Sequence, residues 1–395
     1  MKILYISNKP IYPLIDGGCI AMNQFLKCLL NAGYDVKNFT ISTHKHPFSE
    51  ASYPEKLYSI IRPVNFEIDT RIKVTKALSY LFKKGSYNID RFTDITLKQE
   101  IKTHLYNQDT NIVILESIYL AGYISTIRKY STAKIIIRSH NVEFLIWERQ
   151  AQIQTSILKK IYFKKLAKDL KIAELNFLRK VDGICCISKQ DKLIFQELGT
   201  ATQLATIPVA IEDVNIQKKG ISPHFFHIGS MNWGPNIEAV RWLVSSIFPA
   251  IKKQIPNAKL HLAGSNMPKE FTSNELKGIE VSGFVENVNE FMTTKGIMLV
   301  PLKSGSGVRI KILEGMNLGI PIITTKIGAE GLNAIHEKEL IISENEPEFI
   351  EFAVSLFNSE EKRSTLGGNA KNFITKNHQI ENVTKKLIGF IEHIS

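Results

Sequence analysis

Short apolar segments alternate with amphipathic helical segments in both halves of this chain, and this alternation restricts its fold more than any other feature. The first half carries KILYIS, VKNFTIS, NIVILE, AKIIIRS and DGICCIS, and the second half carries HFFHIG, KLHLAG, IEVSG, GIMLVPL, PIITT and ELIIS. Nearly continuous apolar strands separated by helices are typical of parallel sheets that are covered by helices on both faces. The sequence therefore predicts an α/β chain with two Rossmann-like domains.

The domain boundary is predicted near the middle of the 395 residues, a length that suits two domains. Pro208 and the polar stretch 212–220 favour a linker over residues 207–222. The first domain is then assigned to residues 1–206 and the second to residues 223–377. Residues 47–100 show no regular pattern and allow no assignment.

Positive charge is concentrated in the first half. The net charge is +12; residues 1–200 hold 30 Lys and Arg against 18 Asp and Glu, whereas the remaining residues hold 20 of each. Such asymmetry predicts an anionic partner for the first half: a membrane surface, a nucleic acid or an acidic substrate. No transmembrane segment or signal-peptide core is evident, so we expect a cytoplasmic protein.

Neither the cysteines nor the other potential ligands predict a metal site. Cys19 and Cys28 are isolated and Cys185–Cys186 are adjacent, without metal-ligand spacing, so all four are expected to be buried free thiols. There is also no Asp-x-Asp motif and no cluster of His and Cys. We therefore predict no metal and no cofactor.

A candidate phosphate site lies in the segment IMLVPL-KSGSG-VRIKILEGMNLG-IPIITT, a predicted strand, loop, helix and strand. Gly305 and Gly307 would let backbone N–H groups approach a ligand, and the following helix N-terminus favours an anion. Lys303, Arg309 and Lys311 add formal charge. The same loop contributes further candidates: Ser304, Ser306 and Val308.

Glu314 lies seven residues beyond Gly307 on the same predicted helix. Either it is a solvated surface residue or its carboxylate accepts hydrogen bonds from the two hydroxyl groups of a sugar ring.

Three further sets of residues have two interpretations each. His140 ends a predicted strand and is either structural or a ligand contact. Phe284–Val285 either line a base pocket or pack in the core. The lysines of one predicted helix either form a solvated face or contact anionic lipid headgroups; they are Lys160, Lys164, Lys168 and Lys171. The neighbouring apolar stripe is expected to face the core; it comprises Leu158, Tyr162, Leu166 and Leu170.

Several short motifs, taken in order, carry a resemblance that covers nearly the whole chain. They are Asp16-Gly17-Gly18, Ser139-His140-Asn141-Val142-Glu143, Ile228-Gly229-Ser230 with Trp233, Pro235 and Asn236, Gly283-Phe284-Val285, and the run from Pro301 through Pro321 to Gly331. With these motifs the chain resembles glycosyltransferase family 4, whose members are retaining nucleotide-sugar enzymes of GT-B fold. More narrowly, it resembles a subgroup with RSHNVE-type and GS-x-x-W-x-P-N motifs. The resemblance implies two Rossmann-like domains facing each other across a cleft, and a last helix, residues 378–395, that crosses back to the first domain.

The resemblance also implies roles for the candidate residues. Glu314 matches the glutamate that binds the ribose of the nucleotide, and His140 is expected near the donor sugar and its phosphate. Gly17 and Gly18 are assigned near the diphosphate, and Phe284 and Val285 near the base. Gly229 and Ser230 are assigned to the donor site in the loop after the first strand of the second domain. The predicted phosphate loop contributes the remaining donor-site residues: Ser304, Gly305, Ser306, Gly307 and Val308.

Two departures from the family pattern stand in this sequence. Ser306 occupies the position of the first family glutamate, and Met231, Asn232 and Trp233 replace the usual Arg and Lys. We therefore assign neutralisation of the diphosphate to Arg309 and Lys311.

The function implied is transfer of a sugar from a nucleoside-diphosphate sugar, UDP- or GDP-linked, to a cell-envelope or lipid-linked glycan acceptor. The resemblance implies that the configuration at the anomeric carbon is retained and that no metal ion is required. The protein is expected to be cytoplasmic and to contact the inner face of the membrane through its lysine-rich helix. No nucleic-acid-binding motif is seen, so no nucleic-acid partner is expected. The alternatives are an inverting GT-B transferase, a nucleotide-sugar epimerase, and a non-catalytic nucleotide-sugar-binding partner of another transferase.

Overall fold

The structure is a computed structural model that describes residues 1–80, 83, 85–214, 223–271 and 277–394. Two compact units divide the chain: residues 1–209 with 383–395, and residues 210–382. Of the linker predicted at 207–222, residues 215–222 lie outside the described residues. The part that is described is largely buried rather than exposed, since Ile207, Val209 and Ala210 are in contact with the core.

The first unit is built on a parallel sheet of seven strands in the order β3-β2-β1-β4-β5-β6-β7. Its strands are β1 (Lys2–Ser7), β2 (Asp35–Ser42), β3 (Val64–Glu67), β4 (Ile112–Glu116), β5 (Lys134–Ser139), β6 (Gly183–Cys186) and β7 (Gln203–Thr206). Its helices are α1 (Gly17–Asn31), α2 (Glu55–Ile61), α3 (Val74–Ser79), α4 (Tyr87–Asp90), α5 (Ile95–Asn107), α6 (Ile124–Tyr130), α7 (Glu143–Ile153), α8 (Ile157–Leu178) and α9 (Lys189–Glu197). Strands β1, β4 and β5 are central and buried on both faces, as their apolar sequences predict.

The second unit is built on a parallel sheet of six strands in the order β10-β9-β8-β11-β12-β13. Its strands are β8 (Phe225–Ile228), β9 (Leu260–Ala263), β10 (Ile279–Gly283), β11 (Ile297–Val300), β12 (Ile322–Thr325) and β13 (Ile341–Ser343). Its helices are α10 (Gly234–Trp242), α11 (Phe248–Gln254), α12 (Val288–Thr293), α13 (Ile310–Asn317), α14 (Glu346–Asn358) and α15 (Glu360–Asn377). All six strands predicted for this half are present, so the α/β prediction with mostly parallel sheets is confirmed.

The last helix, α16 (Ile380–Ile394), packs on the first unit from residue 383 onward. A Cβ atom at Gly183 in β6 would lie 2.8 Å from the ring of Phe390 and 3.1 Å from Ile394. Gly183 therefore gives the helix room to approach the sheet.

Two strands of the first sheet, β3 and β7, were missing from the prediction. Both lie at the edges of the sheet, and neither has a fully buried residue. Edge strands lack the continuous apolar run that identifies the central strands. In the stretch 47–100, which showed no pattern, the described residues form β3 together with α2, α3, α4 and the start of α5.

The apolar stripe predicted for α8 faces the core only in part. Leu170 is buried as predicted, but Leu158 is 80% exposed, and every residue from 155 to 161 is exposed. The placement of Leu158 in the core was therefore wrong. The buried residues of α8 lie in its C-terminal part, whereas its first turns are exposed.

All four cysteines are buried, as predicted, and the described residues contain no disulfide. In the described part of the chain, no helix is both long enough and apolar enough to cross a membrane.

Candidate active site

The order of strands in the second sheet reverses between β8 and β11. In open parallel sheets, ligands bind outside the carboxyl ends of the strands at such a switch point. Gly229 and Ser230 directly follow β8, and the loop 301–309 directly follows β11. The two sets of residues that the sequence predicted for the donor are thus placed on neighbouring strand ends.

Lys311 lies at the centre of this arrangement. Its Nζ donates to the backbone oxygen of Ile228 and to Oδ1 of Asn236, each at 2.9 Å, and lies 3.3 Å from Nε2 of His227. Burial, and secondarily the charge of Arg309, lowers the pKa of Lys311 to about 7. An anion that binds beside this ammonium would stabilise its charged form.

Arg309 occupies the N-cap position of α13, and only 7% of its surface is exposed. Its guanidinium lies 4.9 Å from the centre of the Trp233 ring and donates to the backbone oxygen of Ser306. Gly305 is required here, because its φ is +103° and a Cβ atom would lie 2.7 Å from the Trp233 ring. Trp233, noted in the sequence only as a motif residue, thus supports both the arginine and the loop.

The first turn of α13 has neither an acidic residue nor a capping hydrogen bond from its N-cap side chain. Its N–H groups and the helix dipole favour an anion at this end. Ser306, Gly307 and Val308 are half-buried beside it, whereas the hydroxyl of Ser304 donates to Glu238 at 2.7 Å.

Glu314 lies on α13 one turn beyond Lys311. Burial raises the pKa of its carboxyl to about 7, so it is not the freely solvated surface residue of the alternative interpretation. No side chain within the described ranges hydrogen-bonds this carboxylate. The carboxylate is therefore available to hydroxyl groups of a ligand.

Three glycines lie side by side at the carboxyl ends of β8, β9 and β10. The N–H of Gly264 donates to the oxygen of Gly283 at 2.7 Å, and the N–H of Gly229 donates to the oxygen of Ala263 at 3.1 Å. Gly264 has a φ of +145°, and a Cβ atom there would lie 1.8 Å from the oxygen of Gly229. Gly264 was not predicted as a site residue, although its place after an apolar strand was a usable signal.

Replacing Gly264 by Ala should destabilise the protein by about 3 kcal/mol, because the side chain meets rigid backbone in a strained conformation. Gly368→Ala in α15 is the matched control. No atom of the described residues lies within 4 Å of its Cβ position, so this substitution should stabilise the protein by roughly 0.5–1 kcal/mol. Urea unfolding of both variants measures the difference, and similar stabilities would contradict the close approach at Gly264.

Phe284 and Val285 follow β10 at the edge of the same sheet. Phe284 is 73% exposed, so the core-packing alternative is wrong for this residue. Its exposed ring can stack on a planar ligand, and Val285, the next residue, is half-buried.

The first sheet also has a switch point, between β1 and β4. His140 follows the neighbouring strand β5, and its Nε2 lies 2.5 Å from Oε1 of Glu116, the last residue of β4. The hydroxyl of Tyr5 donates to Oε2 of Glu116 at 2.6 Å, and Arg138 donates to Oε1. The four side chains form a network in which Glu116 and Arg138 are fully buried.

Glu116 is the functional candidate that sequence reasoning missed. Burial alone would raise the pKa of its carboxyl, but the charges of Arg138 and His140 lower that pKa to about 2. Glu116 is therefore ionised and holds the ring of His140 by Nε2. The sequence contained a signal for Glu116, since a glutamate at the end of an otherwise apolar strand beside a switch point is unusual.

Gly17 and Gly18 begin α1, whose N-cap is Asp16. The carboxylate of Asp16 accepts from the N–H of Cys19 at 2.9 Å and from Lys9 at 2.6 Å. Lys9, not singled out in the sequence, therefore places a cation beside the glycine turn.

The four predicted membrane-facing lysines do not share one environment. Lys160, Lys164 and Lys168 are exposed. Lys171 is half-buried, with its Nζ 4.8 Å from the centre of the Phe144 ring. Among the residues with a described placement, no three His, Cys, Asp or Glu side chains come together in a way that could hold a metal ion.

Comparison with known proteins assigns the second domain. Residues 222–359 match the model of the family described as Glycosyl transferases group 1. The chain is a glycosyltransferase. This confirms the class of enzyme predicted from the sequence, while the narrower assignment to family 4 and its motif subgroup stays a prediction.

Similar proteins and structures extend over the whole chain. A Klebsiella pneumoniae protein described as an uncharacterized 44.6 kDa protein in cps region is 24% identical over 97% of both chains. Sucrose-phosphate synthase from Thermosynechococcus elongatus has a similar structure, with a TM-score of 0.72 and 14% identity over 100% of this glycosyltransferase and 99% of that chain. Anabaena HepE in complex with UDP gives a TM-score of 0.67 and 12% identity over 100% of both chains. The GT-B fold predicted for this glycosyltransferase is thereby confirmed.

Proposed function

We propose that this glycosyltransferase moves a sugar from a nucleoside-diphosphate sugar, UDP- or GDP-linked, to a glycan acceptor with retention of configuration. The observation that carries the proposal is the arrangement of Arg309, Lys311 and Glu314 on α13 at the switch point of the second sheet. The likeness to a solved structure that contains UDP supports the class of donor.

One nucleotide can engage both ends of this arrangement. The diphosphate lies at the N-terminus of α13, beside Arg309 and Lys311, and the ribose hydroxyls reach the carboxylate of Glu314. Glu314 follows Arg309 by five residues, which is about 7.5 Å along the helix axis. The base stacks near Phe284.

Catalysis in this proposal depends on positioning and on charge. The bond from the anomeric carbon to the diphosphate breaks, and the acceptor oxygen forms its bond on the same face of the sugar. The departing phosphate oxygen takes the proton of the acceptor hydroxyl. Arg309, Lys311 and the dipole of α13 stabilise the negative charge that develops on the diphosphate, so the proposal assigns no step to a metal ion. The assignments of His140, whose ring is held by Glu116, to the donor sugar and its phosphate, and of Gly17 and Gly18 to the diphosphate, stay predictions from the resemblance.

A cell-envelope glycan, lipid-linked during assembly, is the acceptor we propose. The likeness to a protein of a cps region supports an envelope polysaccharide. The excess positive charge of the first half supports an acceptor at an anionic membrane surface.

The proposal is tested by titration calorimetry with UDP and GDP, followed by turnover with the matching sugar nucleotides. We expect one diphosphate to bind, and NMR of the product to show the anomeric configuration of the donor. A product of inverted configuration would reject the proposed retaining reaction, and turnover without any acceptor would indicate an epimerase. If neither diphosphate binds, the proposed donor site is wrong.

Replacing Lys311 by Met should weaken UDP binding roughly 10- to 100-fold at pH 7, because the diphosphate loses a charge-assisted contact. The ammonium of the unmodified protein loses its proton as the pH rises above about 7. Its UDP affinity should therefore fall about tenfold or more between pH 7 and pH 9, and the Lys311→Met variant should lack this fall.

The control for this prediction is Lys326→Met, since the side chain of Lys326 is exposed and pairs with Glu344. That variant should keep both the affinity and its fall with pH. Equal UDP affinity of the Lys311→Met and unmodified proteins would reject the assignment of Lys311 to the diphosphate.

A further inference from the structure

The turn between α7 and α8 exposes a group of large aliphatic side chains. Four of them are 60–80% exposed, and we call them the hairpin tip: Ile153, Ile157, Leu158 and Ile161. The last residues of α7 and the first turns of α8 carry them, although α8 buries Leu170 and Leu178 further along. Clustered exposed aliphatic residues of this kind mark surfaces that contact another apolar phase.

The hairpin tip is surrounded by cations. Residues 149–168 contain six Lys or Arg and no Asp or Glu. Four of these lysines are exposed on α8, Lys159 among them, and we call the other three the lysine row: Lys160, Lys164 and Lys168.

Apolar and basic residues follow one another on a single face of α8. Ile157, Ile161, Lys164 and Lys168 are spaced at i, i+4, i+7 and i+11, which places them on one side of the helix. Ile157 and Lys168 are then separated by about 16 Å along the axis. This length suits a helix whose first turns enter the apolar boundary of a bilayer, 5–10 Å deep, while Lys164 and Lys168 remain at the headgroups and Lys160 extends its side chain toward them.

A groove between α7 and α8 adjoins this face. Its volume is about 310 Å³, and Lys164, Lys168 and Lys171 line it together with Glu148. The excess of lysine over glutamate favours an anionic group in the groove, such as a lipid phosphate.

We propose that the hairpin tip inserts into an anionic lipid bilayer while the lysine row contacts the lipid headgroups. A second copy of the chain is a poorer occupant, because a symmetric contact would bring the same lysines face to face. Nucleic acid is also a poorer occupant, because a polyanion gains little from four exposed aliphatic side chains. The inference rests on the proposed membrane-bound acceptor and names the surface that reaches it.

The test is sedimentation with vesicles of phosphatidylcholine alone and of phosphatidylcholine mixed with phosphatidylglycerol, without donor or acceptor. The unmodified protein should bind the mixed vesicles at least tenfold more tightly. Vesicle binding should fall tenfold or more in the hairpin-tip variant, which combines three substitutions: Ile157→Ser, Leu158→Ser and Ile161→Ser. The triple change of the lysine row to Gln should lower it roughly 100-fold, and high salt should do the same.

Matched controls separate these surfaces from others of the first unit. Ile95→Ser removes an equally exposed aliphatic residue, and Lys385→Gln with Lys386→Gln removes two exposed lysines. These variants should bind vesicles as the unmodified protein does. All variants should keep their unfolding temperature and their UDP affinity, because the altered side chains are exposed and distant in sequence from α13.

Equal binding to both kinds of vesicle, or undiminished binding by the hairpin-tip variant, would overturn the inference. The inference would also be overturned if the protein did not bind vesicles but instead associated with itself or bound single-stranded RNA. Sugar transfer to a soluble acceptor without vesicle binding would remove this inference alone. Vesicle binding without UDP binding would instead remove the proposed donor site.

Discussion

Replacing Glu314 by Gln is expected to stabilise the protein at pH 8 and to weaken its binding of the nucleoside diphosphate. Partial burial raises the pKa of the folded carboxyl from 4.5 to about 7, so at pH 8 the folded state carries a half-buried charge that the unfolded state keeps in water. Removing that charge should add up to about 3 kcal/mol at pH 8. Near pH 4 the carboxyl is protonated in the folded state and partly so in the unfolded state, and the gain should nearly vanish.

The same substitution removes an acceptor for the ribose hydroxyls. Hydrogen bonds to a charged group contribute about 1.5–3 kcal/mol, so UDP affinity should fall roughly 10- to 150-fold. Urea unfolding at pH 5 and pH 8, with calorimetric titration of UDP, measures both effects. Substitution of a residue that serves only the fold would not raise the stability of the protein while lowering its UDP affinity.

Glu351→Gln is the control, because Glu351 is exposed on α14 of the same domain. It should change stability by less than about 0.5 kcal/mol and leave UDP binding intact. Loss of stability in Glu314→Gln at pH 8, or unchanged UDP affinity, would contradict the role assigned to Glu314.

Replacing Glu116 by Ala should destabilise the protein by about 3–5 kcal/mol at pH 7. The substitution leaves the guanidinium of Arg138, 1% exposed, without its carboxylate partner. It also removes the acceptor of the buried Tyr5 hydroxyl, and it frees the ring of His140.

The pH dependence of stability has a definite sign at this site. The pKa of Glu116 is lowered to about 2 in the folded state against 4.5 in its ordinary range, so the ionised form stabilises the fold. That contribution is complete above about pH 5 and is lost as the pH falls toward 2. The Glu116→Ala variant should lack this part of the acid destabilisation.

Urea unfolding between pH 3 and pH 7 compares the variant with the unmodified protein. The double variant Glu116→Leu with Arg138→Met should recover much of the stability, because an apolar pair replaces the buried charges. A loss below 1 kcal/mol for Glu116→Ala, or an unaltered acid profile, would show that the network contributes little.

The six strands of the second sheet and the five inner strands of the first could be predicted from the sequence. Most of the inner strands are largely apolar on both faces, and a run such as that of β4 needs no knowledge of its neighbours to be identified. The edge strands β3 and β7 lack this signal, because their burial depends on which face the rest of the chain covers.

The position of the loop between β11 and α13 could also be predicted, because glycines and cations next to a helix N-terminus are adjacent in the chain. The environment of each residue could not. Lys311 was predicted as a cation, but its contacts with Ile228 and Asn236, 83 and 75 residues away, exist only in the folded sheet. Leu158 was placed in the core because periodicity identifies a face of a helix but not which of its turns are covered.

The sequence by itself determined the alternation of strands and helices, the parallel sheets and the position of the glycine-bearing loop before α13, since each follows from residues within a few positions of one another. The tertiary structure alone decided that Glu116 meets Tyr5 across 111 residues and Arg138 in the next strand. It also decided that the hairpin tip is exposed. Register between strands and burial depend on contacts between distant segments, and no local pattern of side chains encodes which segments meet.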